Sequence, residues 1–335
     1  MEYLKTYLNK IASRGNEKLA ESILKTSEDV GNRYIKTFSF SDHEIGLLFG
    51  NVQSGKTGQM FGIMCKAADL GFPAFVLLTT DNVVLQQQTL DRVRSDLDGF
   101  CICGENDAGL FTNNSLIQPA IIVLKKNVRV LKLWANILNS TGFMKGNPLF
   151  VIDDEADAAS LNTLVNKDRQ SSINRYLDII KNGASSSLYL QVTGTPQAIF
   201  LQTIVSGWRP YFTYYFQPGD AYLGGDFFFP ATGKPQCVSY LDTMEHPTRS
   251  VVVRHLAVSS QILCAGGKVS NCLFHPSVRV SVHKRFAEDV SKELAWCIAN
   301  IDGGFQSELK IQYDSFEPVK SRKISFNELF AKAKD

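Results

Sequence analysis

No stretch of these 335 residues approaches the ~18 consecutive apolar residues that a membrane-spanning helix needs. The first fifteen, MEYLKTYLNKIASRG, interleave acidic and basic side chains without an apolar core, so a signal peptide is not expected either. C-x-x-C pairs are absent. The seven cysteines (Cys65, Cys101, Cys103, Cys237, Cys264, Cys272 and Cys297) are scattered, and Cys101 and Cys103 have the wrong spacing for a zinc knuckle. The five histidines (His43, His246, His255, His275 and His283) show no metal-ligand spacing. Reduced thiols in a cytoplasm are the resulting expectation. An excess of one charge is also lacking: 35 Lys and Arg face 33 Asp and Glu, and a net +2 neither requires nor excludes nucleic acid. Internal repeats and low-complexity tracts are not visible. What remains is 44% hydrophobic and 20% charged, enough to bury a large core. The length suggests two domains, or one with elaborations.

Within that unremarkable background, residues 50–57 read Gly50, Asn51, Val52, Gln53, Ser54, Gly55, Lys56, Thr57, a complete G-x-x-x-x-G-K-[ST] phosphate loop. An apolar run, Ile45 to Phe49, leads into it, and an alternating apolar stretch from Met60 to Leu70 leaves it. That is the strand–loop–helix setting the motif requires. The two glycines let successive N–H groups turn inward around a phosphate, and the following helix adds its positive end. Lys56 is expected to reach the β- and γ-phosphates and the Thr57 hydroxyl to ligate Mg²⁺. A bound nucleoside triphosphate, ATP with Mg²⁺, is the expected ligand.

Leu149 to Ile152 is a short apolar run of the kind that forms a central parallel strand, and it ends in Asp153-Asp154-Glu155-Ala156-Asp157. Four carboxylates in five residues suit a solvated loop between polar segments. At the carboxyl edge of a parallel sheet they instead lie where such folds place ligands. NTP hydrolysis needs one acid for Mg²⁺ and another to polarise the attacking water. A further apolar run, Leu188 to Val192, ends in Thr193-Gly194-Thr195-Pro196.

A phosphate loop followed 98 positions later by DEAD (Lys56 to Asp154), and then T-G-T-P, resembles superfamily 2 helicase-like ATPases. The wording is most similar to the Z1 domain family: GNVQSGKT, a Gln-bearing helix at Gln86–Thr89, IDDEAD at Ile152–Asp157 with the small residues Ala158 to Asn162, and Thr193–Pro196. Lys125-Lys126-Asn127 after Ile121–Leu124 also resembles a Z1 element. The resemblance covers roughly residues 40–200 and continues more weakly through Asn271–Ser277. It implies an α/β, RecA-like fold with a mostly parallel sheet, and ATP hydrolysis coupled to movement on or remodelling of DNA. It implies a bacterial restriction or anti-phage setting, with protein partners such as a nuclease or second ATPase. Asp154 would hold the metal, Glu155 would position water, and Asp157 would pair with Thr193 or Thr195 to couple the ATP site to the nucleic-acid groove. Ala74–Leu78 reads as the strand after the phosphate-loop helix and Ile121–Leu124 as another. Because the loop after the first of these and the helix that follows touch the phosphodiester backbone in related motors, Thr79, Gln86 and Arg92 become candidate DNA contacts, with Lys125 and Lys126. A Gln/Arg helix face is as readily just a solvated one.

Departures from the pattern carry their own expectations. No Q-x-x-G-R-type segment occurs, so the arginines that complete the ATP site in two-lobed motors have no match, and slow hydrolysis by residues 1–335 alone is expected. No glutamine precedes Gln53, so membership of the DEAD-box RNA helicases is not expected. The expected organisation is a helical extension over 1–40 with Tyr3, Leu4, Leu8 and Ile11 on one stripe, an ATPase lobe over 41–205, an aromatic-rich insertion over 206–262, and a partial second lobe over 263–335. Within this scheme Val251–Val258 closes the insertion or leads out of it. Asn271–Val282 reads as a strand, followed by a helix from Lys284 to Ile301, and the chain then reads as an N-terminal piece or one whose second lobe is supplied in trans. The aromatics between Trp208 and Phe229 suit an insertion packed on the main lobe better than a base-stacking surface. A nucleotide-gated module that docks a nuclease without translocating is the second functional reading. A small-molecule kinase would leave the acidic turn and T-G-T-P superfluous. The E-x-K string Glu308-Leu309-Lys310 is too short in spacing from Asp302 for a nuclease core.

Overall fold

The computed structural model describes residues 2–114, 117–140, 142, 145–161, 170–206, 208–219, 222–233, 238, 245–315 and 324–335, without the side chains of 202–206. Contacts divide the chain into two compact units, Met1–Lys234 and Pro235–Asp335.

The first unit is built on seven parallel strands: β1 (His43–Phe49), β2 (Ala74–Thr79), β3 (Cys101–Cys103), β4 (Ala120–Lys125), β5 (Pro148–Asp154), β6 (Ser186–Thr193) and β7 (Phe212–Tyr215), in the order β3-β4-β2-β5-β6-β1-β7. The unbroken apolar runs of β2, β4 and β5 are explained by helices covering both faces. Alternate residues serve different cores. Phe75 and Leu77 of β2, with Phe150 and Ile152 of β5, face one; Val76, Leu78 and Val151 face the other. Helices α1 (Tyr3–Ala12), α2 (Glu17–Val30), α3 (Lys56–Asp69) and α4 (Val83–Asp96) cover the first face. Helices α5 (Ala108–Asn114), α6 (Val128–Ser140) and α7 (Ser172–Gly183) cover the second. A π-helical turn, Gly31–Ile35, extends α2; α8 spans Gln197–Ser206 and α9 Gly225–Phe228. The α/β, RecA-like class read from the motifs is therefore the one observed.

The N-terminal helices belong to this unit and are not a separate extension. Leu4, Tyr7 and Ile11 of α1 and Ile23 of α2 are buried in the first core, and the amides of Tyr3 and Leu4 donate to the Asp69 carboxylate at the end of α3. The boundary at residue 205 is also moved. Residues expected to form an insertion supply β7, an edge strand beside β1, with Phe212 and Phe216 in the first core and Trp208 in the second. Alternating aromatics in a short segment read equally as insertion or strand, and only pairing with β1 distinguishes them. Positions 207, 220, 221, 234–237 and 239–244 of the expected insertion lie outside the described residues, as does Asn162.

Four helices form the second unit: α10 (Pro247–Cys264), α11 (Val280–Ala299), α12 (Gly304–Asp314) and α13 (Phe326–Lys334), around Val252, Val253, Ala257, Phe305, Leu309 and Leu329. Val251–Val258 lies inside α10, where a β-branched run is tolerated because Val252, Val253 and Ala257 are buried and Pro247 occupies the first turn. Asn271–Val282 is not a strand, and α11 begins at Val280. Among the described residues of 235–335 there is no strand, so the expected start of a second RecA-like lobe is replaced by helices. Glu308 and Lys310 of the E-x-K string sit on α12, where Glu308 pairs with Arg249 and Lys310 with Asp314.

Candidate nucleotide site

Register brings the three motifs to one edge of the sheet. Phe49 is level with Thr193 across β1–β6, and Asp154 with Val192 across β5–β6, so the phosphate loop, the acidic turn and T-G-T-P all leave the carboxyl ends of adjoining strands. The strand carrying Thr193 lies between the other two.

Residues 51–55 form the loop, and α3 begins at Lys56. Gln53 (φ 58°) and Gly55 (φ 92°) are left-handed, which turns the intervening amides out of helical geometry. Gly50 has a different reason to lack a side chain: a Cβ there would overlap the Phe216 ring. Lys56 Nζ lies against Gly194, where an added Cβ would sit 3.0 Å from Nζ and 3.3 Å from Val52 Cγ2. The small residue of T-G-T-P thus keeps open the space that the loop lysine occupies. The aromatic segment also reaches the loop, for Tyr222 Oη donates to the Val52 carbonyl at 2.6 Å and Tyr215 Oη to Asn51 Oδ1 at 3.2 Å.

The four acids of residues 153–157 do three different jobs. Asp153 is fully buried, accepting from Lys126 Nζ at 3.0 Å and from Tyr189 Oη at 2.7 Å. Burial, then the Asp153 carboxylate, pushes the Tyr189 phenol well above its ordinary value. Lys126 Nζ also donates to the carbonyls of Asp154 and Glu155, both at 2.8 Å, and so clamps the turn in which Glu155 takes φ 51°. Among the described residues, Asp154 has no such ammonium partner on its carboxylate. Burial, followed by the charge of Glu155, pushes it up to about 6 despite Lys126 nearby. Asp157 accepts from Thr193 Oγ1 and Thr195 Oγ1, each at 2.6 Å, and Thr195 N donates to Thr193 Oγ1. Its burial would raise the carboxyl, but the two threonine hydroxyls outweigh that and hold it below the ordinary range.

Asp154 and Glu155 fit a hard divalent cation, because they are an all-oxygen pair in which buried negative charge lacks a cation. Thr57, half-buried in the first turn of α3, lines the same cleft. Of about 660 Å³, that cleft falls within the roughly 300–1,000 Å³ of small-molecule sites. A separate hollow of about 700 Å³ lies against α1 and α2. Glu2, Glu17, Glu21, Glu28 and Asp69 on its wall make it a poor host for phosphate.

The uncompensated carboxylate has a stability consequence. Asp154 binds its proton more tightly folded than unfolded, so the stabilisation is present below pH ~4 and is lost as pH rises through about 6. In metal-free buffer at pH 7–8, Asp154→Asn should therefore stabilise the chain by roughly 2–3 kcal/mol, with the advantage fading towards pH 4. Thermal melts of both proteins from pH 4 to 8 check this, and a constant difference in melting temperature would contradict it.

The candidate DNA contacts are largely dispersed by the structure. Thr79 is buried, its hydroxyl directed to the carbonyls of Thr80 and Leu124. Gln86 is buried and donates to the Val123 carbonyl, and Lys126 is the turn clamp just described. Lys125 is paired with Glu105 at 3.5 Å. Each sits beside the end of β2 or β4, where packing from neighbouring elements takes up its polar group, and none is a free backbone contact. Arg92 alone of the five is exposed and without an ion-pair partner among the described residues, and it lines the nucleotide cleft. The residues that motif reading missed are Tyr189, Tyr215, Phe216 and Tyr222, together with the structural role of Lys126. Tyr215, Phe216 and Lys126 sit at or just past a strand end, whereas Tyr189 lies mid-strand in β6 and Tyr222 in the segment after β7, so aromatic or basic character is their only sequence signal.

No family model and no curated protein matches the chain. Among solved structures it is similar to the helicase domain of Pyrococcus furiosus Hef, at 14% identity and a TM-score of 0.39, over 85% of this chain and 55% of that one. It is also similar to C. elegans PCH-2, at 13% identity and a TM-score of 0.27, over 94% of this chain and 67% of that one. The chain thus spans 55% of the length of the Hef structure. Sheet order and loop geometry by themselves define a P-loop NTPase-like fold. Among the described residues no helix is long and apolar enough to cross a membrane.

Proposed function

We propose that this chain binds ATP with Mg²⁺ and hydrolyses it, and that hydrolysis drives movement on or remodelling of DNA in a bacterial restriction or anti-phage system of the Z1 kind. The observation that carries the reading is the convergence, in one cleft, of Lys56 and Thr57 with Asp154 and Glu155. Lys56 and the loop amides hold the phosphates, Thr57 and Asp154 are the metal ligands, and Glu155 orients the attacking water and accepts its proton. When bound, Mg²⁺ offsets charge on the phosphate oxygens. The Thr193–Asp157–Thr195 bonds support a coupling role, since they tie the turn bearing Glu155 to the strand between it and the phosphate loop.

A second reading, a nucleotide-gated module that docks a nuclease partner, is favoured by the helical packing of α10 to α13, which offers a helical surface where a second ATP-binding lobe was expected. One set of measurements separates the two: titration with a fluorescent ATP analogue, then phosphate release with and without single- or double-stranded DNA. Micromolar-range binding with slow release is expected of these residues alone, as no Q-x-x-G-R-type arginine is present and such a group contributes about 10³–10⁵ in rate. Any stimulation by DNA favours the motor reading, and binding indifferent to DNA favours the docking module. Failure to bind nucleotide would overturn both.

A further inference from the structure

Six charged side chains line the nucleotide cleft: Arg14, Lys56, Arg92, Asp96, Asp154 and Glu155. Arg14, at the end of the α1–α2 hairpin's first arm, gives its guanidinium to Asp96 at 2.7 Å, and Lys10 one turn earlier pairs with Asp98 at 2.9 Å. These two pairs fasten the hairpin to the end of α4 and neutralise Asp96. Asp154 and Glu155 are the acids suited to the metal. The positive charge left for a polyphosphate is then Lys56, on the floor of the cleft, and Arg92, on its α4 wall one turn before Asp96 on the same helical face. Arg92 is exposed and has no ion-pair partner among the described residues.

We propose that Arg92 is a specificity-determining residue of the nucleotide cleft, a guanidinium that distinguishes nucleoside triphosphate from diphosphate by pairing with the terminal phosphate. The inference rests on the nucleotide-binding reading above and departs from the expectation that α4 turns its arginine to DNA. The chemistry suits the residue. A terminal phosphate carries about −1.5 to −2 charge at neutral pH, and the planar guanidinium fork binds such a group through two parallel hydrogen bonds that an ammonium cannot reproduce. A diphosphate held by the same loop and by Lys56 lacks that terminal group. Arg92 therefore adds affinity for the triphosphate selectively, while Lys56 adds it for both.

The test uses the full chain with Mg²⁺ and fluorescent analogues of ATP and ADP, comparing Arg92→Gln, Arg92→Lys and Lys56→Ala with the parent, each checked for folding by circular dichroism. Arg92→Gln should weaken the ATP analogue by about 10–100-fold, the range of a charge-assisted hydrogen bond, and change the ADP analogue less than about threefold. Arg92→Lys should recover part of the loss, and it serves if the glutamine variant does not fold. Lys56→Ala should weaken both analogues. An unchanged ATP-to-ADP ratio in Arg92→Gln, with Lys56→Ala still impaired, overturns the inference and leaves the nucleotide site intact. So does an unchanged ratio accompanied by weaker binding of single-stranded DNA in fluorescence anisotropy, which would assign Arg92 to nucleic acid. Unaltered binding in Lys56→Ala would overturn the nucleotide-site reading itself, and this inference with it.

Discussion

Lys126→Met will destabilise the sheet-bearing unit by about 3–5 kcal/mol, the usual cost of leaving one member of a buried ion pair behind. Lys126 and Asp153 are both fully buried, so among the described residues the remaining carboxylate would have only the Tyr189 hydroxyl for compensation. The carbonyls of Asp154 and Glu155 would lose their donor as well. Methionine keeps the length and apolar stem of the lysine, which isolates the charge and its three bonds as the cause. Adding Asp153→Asn should recover part of the loss by removing the stranded charge, but not all of it, because the two carbonyls stay unpaired. Urea unfolding followed through Trp134 and Trp208, in a Trp296→Phe background, reports on the correct unit. A loss below about 1 kcal/mol for Lys126→Met would mean that water replaces the ammonium and that the clamp is dispensable.

Glu155→Gln should preserve binding of ATP with Mg²⁺ while slowing hydrolysis by about 10²–10⁴-fold. The amide matches the carboxylate in size and can still hydrogen-bond to water, but it cannot accept the proton. The positive φ at Glu155 is a backbone requirement that glutamine meets as readily as glutamate, so the fold should be unaffected. Single-turnover phosphate release, with protein in excess over trace ATP, measures the chemical step apart from product release. If the variant hydrolyses at the parental rate, Glu155 is not the base, and Asp154 must be considered for that role. The contrast with Asp154→Asn is informative: that change should strengthen the metal-free fold while weakening the metal-dependent nucleotide complex. Loss of function with a gain in stability is what an uncompensated buried carboxylate kept for binding leads one to expect.

Much of the sheet and the heart of the cleft could be read directly from the chain. The strands at Ile45–Phe49, Ala74–Leu78, Ile121–Leu124, Leu149–Ile152 and Leu188–Val192 all occur, because a run buried on both faces has to be apolar throughout and is bounded by the turns that follow it. The phosphate loop and the acidic turn were legible for a related reason, as their geometry comes from residues adjacent in sequence. The short strands β3 and β7 were not anticipated. Three or four residues carry too little periodicity to announce a strand, and β7 exists because β1 offers it an edge. The β-branched residues of NCLFHPSVRVSV suggest a strand, but residues 271–279 are neither strand nor helix and α11 begins at Val280, because β-propensity is realised only where a sheet edge is offered.

The sequence by itself marked out the phosphate-loop pattern of Gly50 to Thr57 and the acidic turn of Asp153 to Asp157, because each is a constellation of adjacent residues. Only the tertiary structure decided what the remaining polar residues do. Lys125 and Lys126 are adjacent and alike in sequence, yet one meets Glu105 near the surface while the other is drawn beneath the acidic turn by Asp153 and two carbonyls. Thr79 and Gln86 are consumed by backbone acceptors, and Arg92 from the same loop-and-helix region lines the cleft with Lys56. The physical reason is the same in each case. A charged or polar side chain goes where its desolvation is best compensated, and the groups that compensate it come from strands and helices brought together by packing, far away in sequence.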